Sequence, residues 1–254
     1  MAVMPLWHMV SGLHAPALLT LDTARRASEV LLAVAIIQQA SEHVVTRPRD
    51  RPWALAQLTL GLALAVGVAP AWVEGVLLLV NAETLEHWGG PYNGGSDRMR
   101  LLLLLCLFAS HLVDARVALG YLAVQVVLSY TLAGYVKLVS PQWRRGEALA
   151  DVFDWSVYPV SGAVRRLARA RRTVRTLSWL TIAFEILFPL CLLHPVLLVA
   201  ALSVAFVFHL FNAAAFGLNR FVWAWLAAYP CVLWFEDEVL AGGALLRSLL
   251  HGGH

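Results

Sequence analysis

The chain reads VALGYLAVQVVLSYTLAGYVKLV from residue 117 to residue 139, and Lys137 is the one charged residue in this stretch. A helix needs about 20 mostly apolar residues to cross a bilayer, and this stretch meets that length. Backbone groups in lipid must be hydrogen-bonded within their own segment, so we expect an α-helix here. Residues 117–139 therefore predict a membrane-spanning helix.

The composition of the whole chain supports a membrane protein. Of its 254 residues, 60% are hydrophobic and 14% are charged, and the mean hydropathy is +0.70. An average soluble domain carries about 25% charged residues. A soluble globule of this composition would have too little polar surface to cover itself. These values exclude a disordered protein, a coiled coil and an ordinary cytosolic α/β enzyme, and they predict an all-α, polytopic transmembrane helix bundle.

Eight segments approach the length of a membrane span, which predicts about seven to eight spans in a single domain over residues 1–254. The segments cover residues 28–45, 53–68, 71–86, 99–113, 117–139, 176–193, 196–218 and 221–235. Outside the spans we expect an interfacial lead-in at residues 1–27, an extramembrane or interfacial loop at residues 140–175, and a polar tail at residues 240–254.

Most arginines fall on one side of this predicted topology. The positive-inside rule then places residues 140–175 in the cytoplasm and both termini outside. We expect an integral protein of the bacterial cytoplasmic membrane, with membrane lipid as a partner. The basic stretch 164–177 is interpreted either as the charged flank of a span or as an interfacial helix on anionic lipid. The basic residues lie in a few clusters between apolar runs, so we expect no nucleic-acid partner.

Several kinds of site have no motif in this sequence. Cys106, Cys191 and Cys231 show no CxxC spacing, and the chain contains no HExxH, GxSxG or Gly-rich phosphate loop. We therefore expect no metal site. Glu74 and His111 are polar residues within predicted spans to which the sequence pattern assigns no role.

Lys137, the only lysine of the chain, is the first candidate functional residue. A charged side chain at mid-bilayer costs about 2.5–3.5 kcal/mol on insertion scales, so such residues are functional candidates. Tyr130, Gly134 and Lys137 share one helix face, and Gly134 would let another helix or a ligand approach closely. Lys137 either extends to the head groups or acts as a buried general base.

Other polar residues extend the candidate set. Glu185 lies near the middle of the sixth segment, where it needs a proton or a cationic partner. His209 and Asn212 share a helix face in the seventh segment. A lone histidine in a span is more often a hydrogen-bonded core residue, but a second polar residue on the same face weakens that interpretation. Asn93 and Asp97 belong to the sequence NGGSD before the fourth segment, where Asp97 is also a suitable helix N-cap.

Four motifs occur in order along the chain: NGGSDRM, YTLAGYVKLVSPQWRRGEAL, FEILFPL and FHLFNAAAFGLNRFVWAWLAAYP. Together they resemble the HTTM superfamily, bacterial membrane proteins similar to the membrane core of vitamin K-dependent γ-glutamyl carboxylase. The resemblance covers residues 53–230. In the carboxylase, the stretch similar to YTLAGYVKL carries the lysine that acts as the base in vitamin K chemistry, and Lys137 falls on that position.

The resemblance implies roles for further residues. Trp143 and Gly146 match a Trp and a Gly that follow the carboxylase lysine, with one extra residue before Trp143. The implied cofactor is a reduced quinone of the menaquinone or vitamin K type. The expected catalytic residues are Lys137, His209 and Glu185. The residues expected to form the substrate or cofactor pocket are Tyr130, Gly134, Trp143, Asn212, Asn93 and Asp97.

The chain also departs from the carboxylase pattern. GGSD at residues 94–97 stands where carboxylases have an Asn-His-Ser-Tyr-type segment, so the family histidine is missing. No counterpart of the large extramembrane domain that binds propeptide and substrate follows the spans, which argues against carboxylation of a protein. The carboxylase works on the lumenal side, whereas the charge distribution places residues 140–175 in the cytoplasm.

Three functions remain open from the sequence. The first is a quinol-linked membrane enzyme that acts on a peptide or small substrate with Lys137 as base. The second is a non-catalytic maturation or accessory factor that binds a peptide or lipid, with Lys137 and Glu185 as a structural pair. The third is a transporter, for which the sequence shows no inverted repeat and no paired broken helices.

Overall fold

A computed structural model describes residues 18–87, 94–155 and 162–251, and all regular secondary structure within these ranges is helical. The α-helices of these ranges, numbered α1 to α11 in chain order, are Leu21–Thr46, Arg51–Val66, Pro70–His87, Gly94–Ala109, Ala115–Val139, Pro141–Arg145, Glu147–Trp155, Gly162–Ala168, Arg171–Leu187, Pro195–Phe216 and Asn219–His251. Short 3₁₀ helices cover Pro48–Asp50 and Phe188–Leu193. The prediction of an all-α fold is confirmed for this part of the chain.

Each of the eight predicted segments overlaps one of these helices, but fewer of them qualify as spans by length and apolar composition. Within the described residues three do so: Ala115–Val139, Arg171–Leu193 and Pro195–Phe216. The second of these comprises α9 and its 3₁₀ extension. The fold is therefore that of a helical membrane protein, and the count of seven to eight spans stays a prediction.

Local sequence signals set the ends of the helices. Gly67 and Gly217 follow α2 and α10 with φ of 80° and 68°, a left-handed conformation that favours glycine at a helix C-terminus. Pro195 is the first residue of α10. The amide of a first helical residue has no acceptor within the helix, so proline's lack of an amide hydrogen costs no hydrogen bond there. Asp114 caps α5, since its Oδ1 accepts a hydrogen bond of 2.8 Å from the Arg116 amide.

Helix α11 occupies the centre of the bundle, where it packs against α1, α4, α5 and α10. Its inward face carries the small buried residues Ala224, Ala227, Ala228 and Cys231. Small residues at this spacing allow helix backbones to approach closely within a membrane. At the contact with α1, Cys231 Sγ lies 3.3 Å from Ser28 Oγ. The small-residue face of α11 therefore fixes the position of α1.

Helices also occupy the described parts of the segments that are predicted to lie outside the spans, and the location of these segments relative to the membrane stays a prediction. The predicted lead-in already belongs to α1 from Leu21 onward, and residues 140–175 contain the short helices α6 to α8. Helix α11 continues through the acidic residues 236–238 to His251, where a polar tail was predicted from residue 240. Within this acidic run, Asp237 Oδ2 accepts a hydrogen bond of 2.9 Å from the Leu18 amide.

The contact between α5 and α9 depends on Gly134. A Cβ atom at this position would lie 2.8 Å from Glu185 Cβ and 2.8 Å from the Ile186 backbone nitrogen. Both distances are shorter than a van der Waals contact, so the helices reach this separation only because residue 134 has no side chain. The close approach that the sequence predicted for Gly134 is thus made by another helix.

We expect Gly134→Ala to destabilise the bundle by about 1–3 kcal/mol, the usual effect of overpacking a tight contact. The measurement is the thermal unfolding midpoint of the detergent-purified protein. Gly120→Ala is the matched control on the same helix, because its Cβ would lie 3.7 Å from the Phe235 ring, an ordinary contact. Equal midpoints for the two variants would contradict the role of Gly134.

Candidate functional site

A cavity of about 800 Å³ lies between α5, α7, α9 and α10. Its walls are formed mainly by Leu, Val and Phe side chains. The lining residues with polar groups are Lys137, Trp143, Asp151, Thr181 and Asn212. The structure thus places Lys137, Trp143 and Asn212 on one cavity, while the binding of a substrate there remains a prediction.

Lys137 borders this cavity as one half of an ion pair. Its Nζ lies 2.6 Å from Oε2 and 2.8 Å from Oε1 of Glu185, and the two side chains are 17% and 6% exposed. The ammonium also lies 5.2 Å from the centroid of the Trp143 ring, a cation–π distance. Lys137 is therefore held inward by Glu185, and Glu185 has the cationic partner that its position in a span requires.

Trp143 reaches Lys137 because α6 is attached to α9. The Ser178 hydroxyl donates a hydrogen bond to the Trp143 carbonyl, and Trp179 Nε1 donates one of 3.1 Å to the Arg144 carbonyl. Gly146 then turns the chain with φ of 81° and packs against the backbone of Arg175. These contacts place the short helix α6 across the end of α5.

His209 belongs to a second, fully packed cluster. The Tyr130 hydroxyl lies 3.1 Å from His209 Nε2 and 3.1 Å from the Tyr229 hydroxyl, and the Trp225 ring stacks on the imidazole at 5.3 Å between centroids. All four side chains are buried. His209 is absent from the lining of the cavity, and Tyr130 is two turns from Lys137 along α5. The structure thus brings Lys137 and Glu185 together and leaves His209 separate from them.

The remaining predicted site residues lie elsewhere. Asn93 falls outside the described residues. Asp97 lies in the first turn of α4, which begins at Gly94, so the N-cap interpretation of Asp97 is wrong. Its carboxylate is 3.5 Å from Arg100, which in turn donates a hydrogen bond to Gln39. Asp97 therefore belongs to a buried polar contact between α4 and α1, and it does not line the cavity.

Trp225 and three residues with hydroxyl or carboxyl groups belong to these two sites but were not predicted from the sequence. Thr181 precedes Glu185 by one helical turn, so the i, i+4 spacing could have identified it. Tyr229 carries a hydroxyl group in a mostly apolar helix, but its hydrogen-bond partner Tyr130 is on another helix. The spacing of residues along one helix could not have revealed this contact. Asp151 reaches the cavity because the predicted loop is in fact the helix α7.

The arrangement suits an amphiphilic molecule. The phenylalanine and leucine walls would cover its apolar part, and the polar groups of Lys137, Thr181 and Asn212 would bind its polar end. Small-molecule sites in proteins share this design of apolar walls with a few polar groups.

We expect Tyr130→Phe to lower the stability by about 1–3 kcal/mol, because it leaves His209 Nε2 and the Tyr229 hydroxyl without their shared partner. Thermal unfolding in detergent measures this change. Tyr135→Phe is the matched control, since Tyr135 is on the same helix and is 56% exposed. A Tyr130→Phe midpoint equal to that of the control would show that these hydrogen bonds contribute nothing.

The comparisons with known proteins agree with the motifs. The family model described as HTTM domain matches residues 114–237, which contain α5 to α10 and the first part of α11. The match includes Lys137, Glu185, His209 and Asn212, and it begins at Asp114 rather than near residue 53. Neither the curated proteins nor the solved structures contain a match to this chain. The identification made from the motifs is confirmed: residues 114–237 of this membrane protein are an HTTM domain.

Proposed function

We propose that this HTTM domain is a quinol-linked membrane enzyme that acts on a peptide or small substrate, with Lys137 as its base. The observation that carries the proposal is the position of the only lysine. Its Nζ borders an apolar cavity within the membrane domain and is bonded to both oxygens of Glu185. The similarity of the Lys137 stretch to the base-carrying stretch of γ-glutamyl carboxylase supports the same assignment.

The lining of the cavity supports a reduced quinone of the menaquinone or vitamin K type as the proposed cofactor. A quinone combines a polar ring with an apolar isoprenoid tail, and the lining combines Phe and Leu walls with polar groups of Lys137, Thr181 and Asn212. Its volume of about 800 Å³ is within the range of small-molecule sites. When bound, such a cofactor supplies two electrons. An isoprenoid quinone dissolves in lipid, so we expect the enzyme to work in the bacterial cytoplasmic membrane.

Lys137 and Glu185 would handle the proton as a unit. An ammonium cannot accept a proton, so Lys137 first has to pass one from Nζ to a Glu185 oxygen, and these atoms are already 2.6–2.8 Å apart. The transfer leaves a neutral amine and a neutral carboxylic acid. An apolar cavity favours this neutral pair over the ion pair more than water does. The free amine at the cavity wall is then the base.

The other predicted residues have supporting positions in this proposal. Asn212 and Thr181 would orient the polar end of a bound molecule, because both line the cavity with Lys137. The face of the Trp143 ring would stabilise the Lys137 ammonium by a cation–π interaction. His209 acts through Tyr130 on the packing of α5 and has no contact with the cavity, so its role is positioning.

Lys137→Arg tests the proposal most directly. Arginine keeps the positive charge and can pair with Glu185, but it does not lose its proton in a protein. We expect the oxidation of reduced menaquinone by oxygen, assayed with purified protein in lipid nanodiscs, to fall by about 10²–10⁴-fold. The thermal midpoint should stay near that of the wild type. Wild-type turnover in Lys137→Arg, or no turnover in the wild type, would contradict the proposal.

A second candidate function is a non-catalytic accessory factor that binds a peptide or lipid in the same cavity. The observation that favours it is the location of the ion pair beside Gly134, where α5 and α9 touch. At this point the pair would serve to join two helices. Truncating one member would then leave an uncompensated charge in the bundle, which is strongly destabilising.

The exchange of the two charges separates the candidates. Under the accessory function, Lys137→Ala should lower the thermal midpoint, whereas the double variant Lys137→Glu/Glu185→Lys should restore it together with lipid or peptide binding measured by native mass spectrometry. Under the enzymatic function, the exchange restores stability at most, because it moves the amine from α5 to α9. Quinol oxidation by the exchanged variant at the wild-type rate would contradict the role of Lys137 as base.

A further inference from the structure

A second group of ionisable side chains lies outside the HTTM match and away from the cavity. It consists of Glu29 on α1, Glu74 on α3 and His111 in the turn that follows α4. One ligand atom from each residue lies within 4.8 Å of the other two. From this group we infer a divalent metal site in which Glu29, Glu74 and His111 are the protein ligands.

Glu74 provides the observation that calls for a ligand. Its side chain is fully buried, and neither carboxylate oxygen has a hydrogen-bond donor among the described residues. His111 Nε2 also lacks a hydrogen-bond partner in this part of the chain, although it lies 3.2 Å from Glu74 Oε2. Burying a polar atom without a partner lowers the stability of a protein, so buried polar atoms normally have a hydrogen-bond partner or a bound ion. A metal ion between the three residues would satisfy all of these atoms at once.

The neighbouring arginines, Arg25 and Arg26, form their ion pairs with Glu29; both are also near enough to interact electrostatically with Glu74, but among the described residues neither donates a hydrogen bond to it. Arg26 Nη1 donates a hydrogen bond of 2.8 Å to Glu29 Oε2, and the same guanidinium donates to the carbonyls of Leu64 and Ala65. Arg25 Nε is 3.8 Å from Glu29 Oε1. Arg26 therefore fixes the orientation of Glu29, as outer partners do for carboxylates that bind metals. The carboxylates of Glu29 and Glu74 thus lie close together, and a divalent cation between them would compensate their negative charges.

Zinc is one divalent ion that this donor set suits, and it serves as the probe ion. Zinc binds imidazole nitrogen and carboxylate oxygen at about 2.0–2.2 Å, and sites with three protein ligands keep a fourth position for water. Two such ligands in a tetrahedron are separated by about 3.4 Å. The separation of 3.2 Å between Glu74 Oε2 and His111 Nε2 agrees with that geometry. Glu29 would need to approach by a small side-chain adjustment.

The site is accessible from one end of the bundle. Glu74 is one turn after the start of α3, and His111 is in the turn between α4 and α5. The His111 side chain is 18% exposed, whereas Glu74 is closed off behind it. An ion can therefore reach Glu74 past the imidazole without crossing the hydrophobic core.

Zinc binding to the full-length protein tests the inference. The detergent-purified chain is treated with a chelator to remove bound metal, dialysed and titrated with Zn²⁺ alone. The bound zinc per chain is then measured by inductively coupled plasma mass spectrometry. We expect one Zn²⁺ per chain. Glu74→Gln and His111→Ala should each bind it at least about 10-fold more weakly, because even outer-shell changes weaken metal sites by about 10–100-fold.

Two matched variants control for surface binding and for folding. His194→Asn removes an imidazole that caps α10 but keeps a good capping residue, and Glu238→Gln removes an exposed carboxylate on α11. Both should bind Zn²⁺ like the wild type, and circular dichroism should show equal helix content for all variants. The inference is overturned if the wild type retains no Zn²⁺, or if the control variants lose it as much as Glu74→Gln and His111→Ala do.

Discussion

The pairing of Lys137 with Glu185 is the interaction on which the rest of the HTTM domain depends. Both residues lie in helices that qualify as membrane spans, where an isolated charge is costly. Gly134 allows α5 and α9 to approach closely enough for the pair to form. The same contact places the ammonium at the wall of the apolar cavity. Helix packing, charge compensation and the candidate chemistry therefore meet at one point of the structure.

A second polar cluster supports this arrangement two turns earlier on the same face of α5. Tyr130 connects α5 to α10 through His209 and to the central helix α11 through Tyr229. Its ring also stacks on Phe188 with 4.2 Å between centroids, directly where α9 changes to a 3₁₀ helix. Helix α5 is thus held at two levels, by an ion pair near its end and by neutral hydrogen bonds two turns earlier. The neutral hydrogen bonds are buried, and the ion pair faces the cavity.

The sequence predicted the helical membrane fold because the composition and length of a segment reflect whether its helix is surrounded by lipid or by water. It also predicted the shared face of Tyr130, Gly134 and Lys137, since that face follows from the period of a single helix. It did not predict the partners of His209 or the meeting of Glu29 with two other side chains. Those contacts join different helices, and only the packing of the bundle determines them. For the same reason a metal site was not expected from ligand spacing along the chain.

The change from α9 to a 3₁₀ helix at Phe188–Leu193 alters the length of this span. Pro189 cannot donate the amide hydrogen bond that would continue an α-helix, so the chain winds more tightly here. A 3₁₀ helix rises about 2.0 Å per residue, whereas an α-helix rises 1.5 Å. Over these residues the segment gains roughly 3 Å along its axis, about a tenth of the hydrocarbon thickness of a bilayer. The span therefore tolerates more tilt, or a thicker membrane, than its residue count implies.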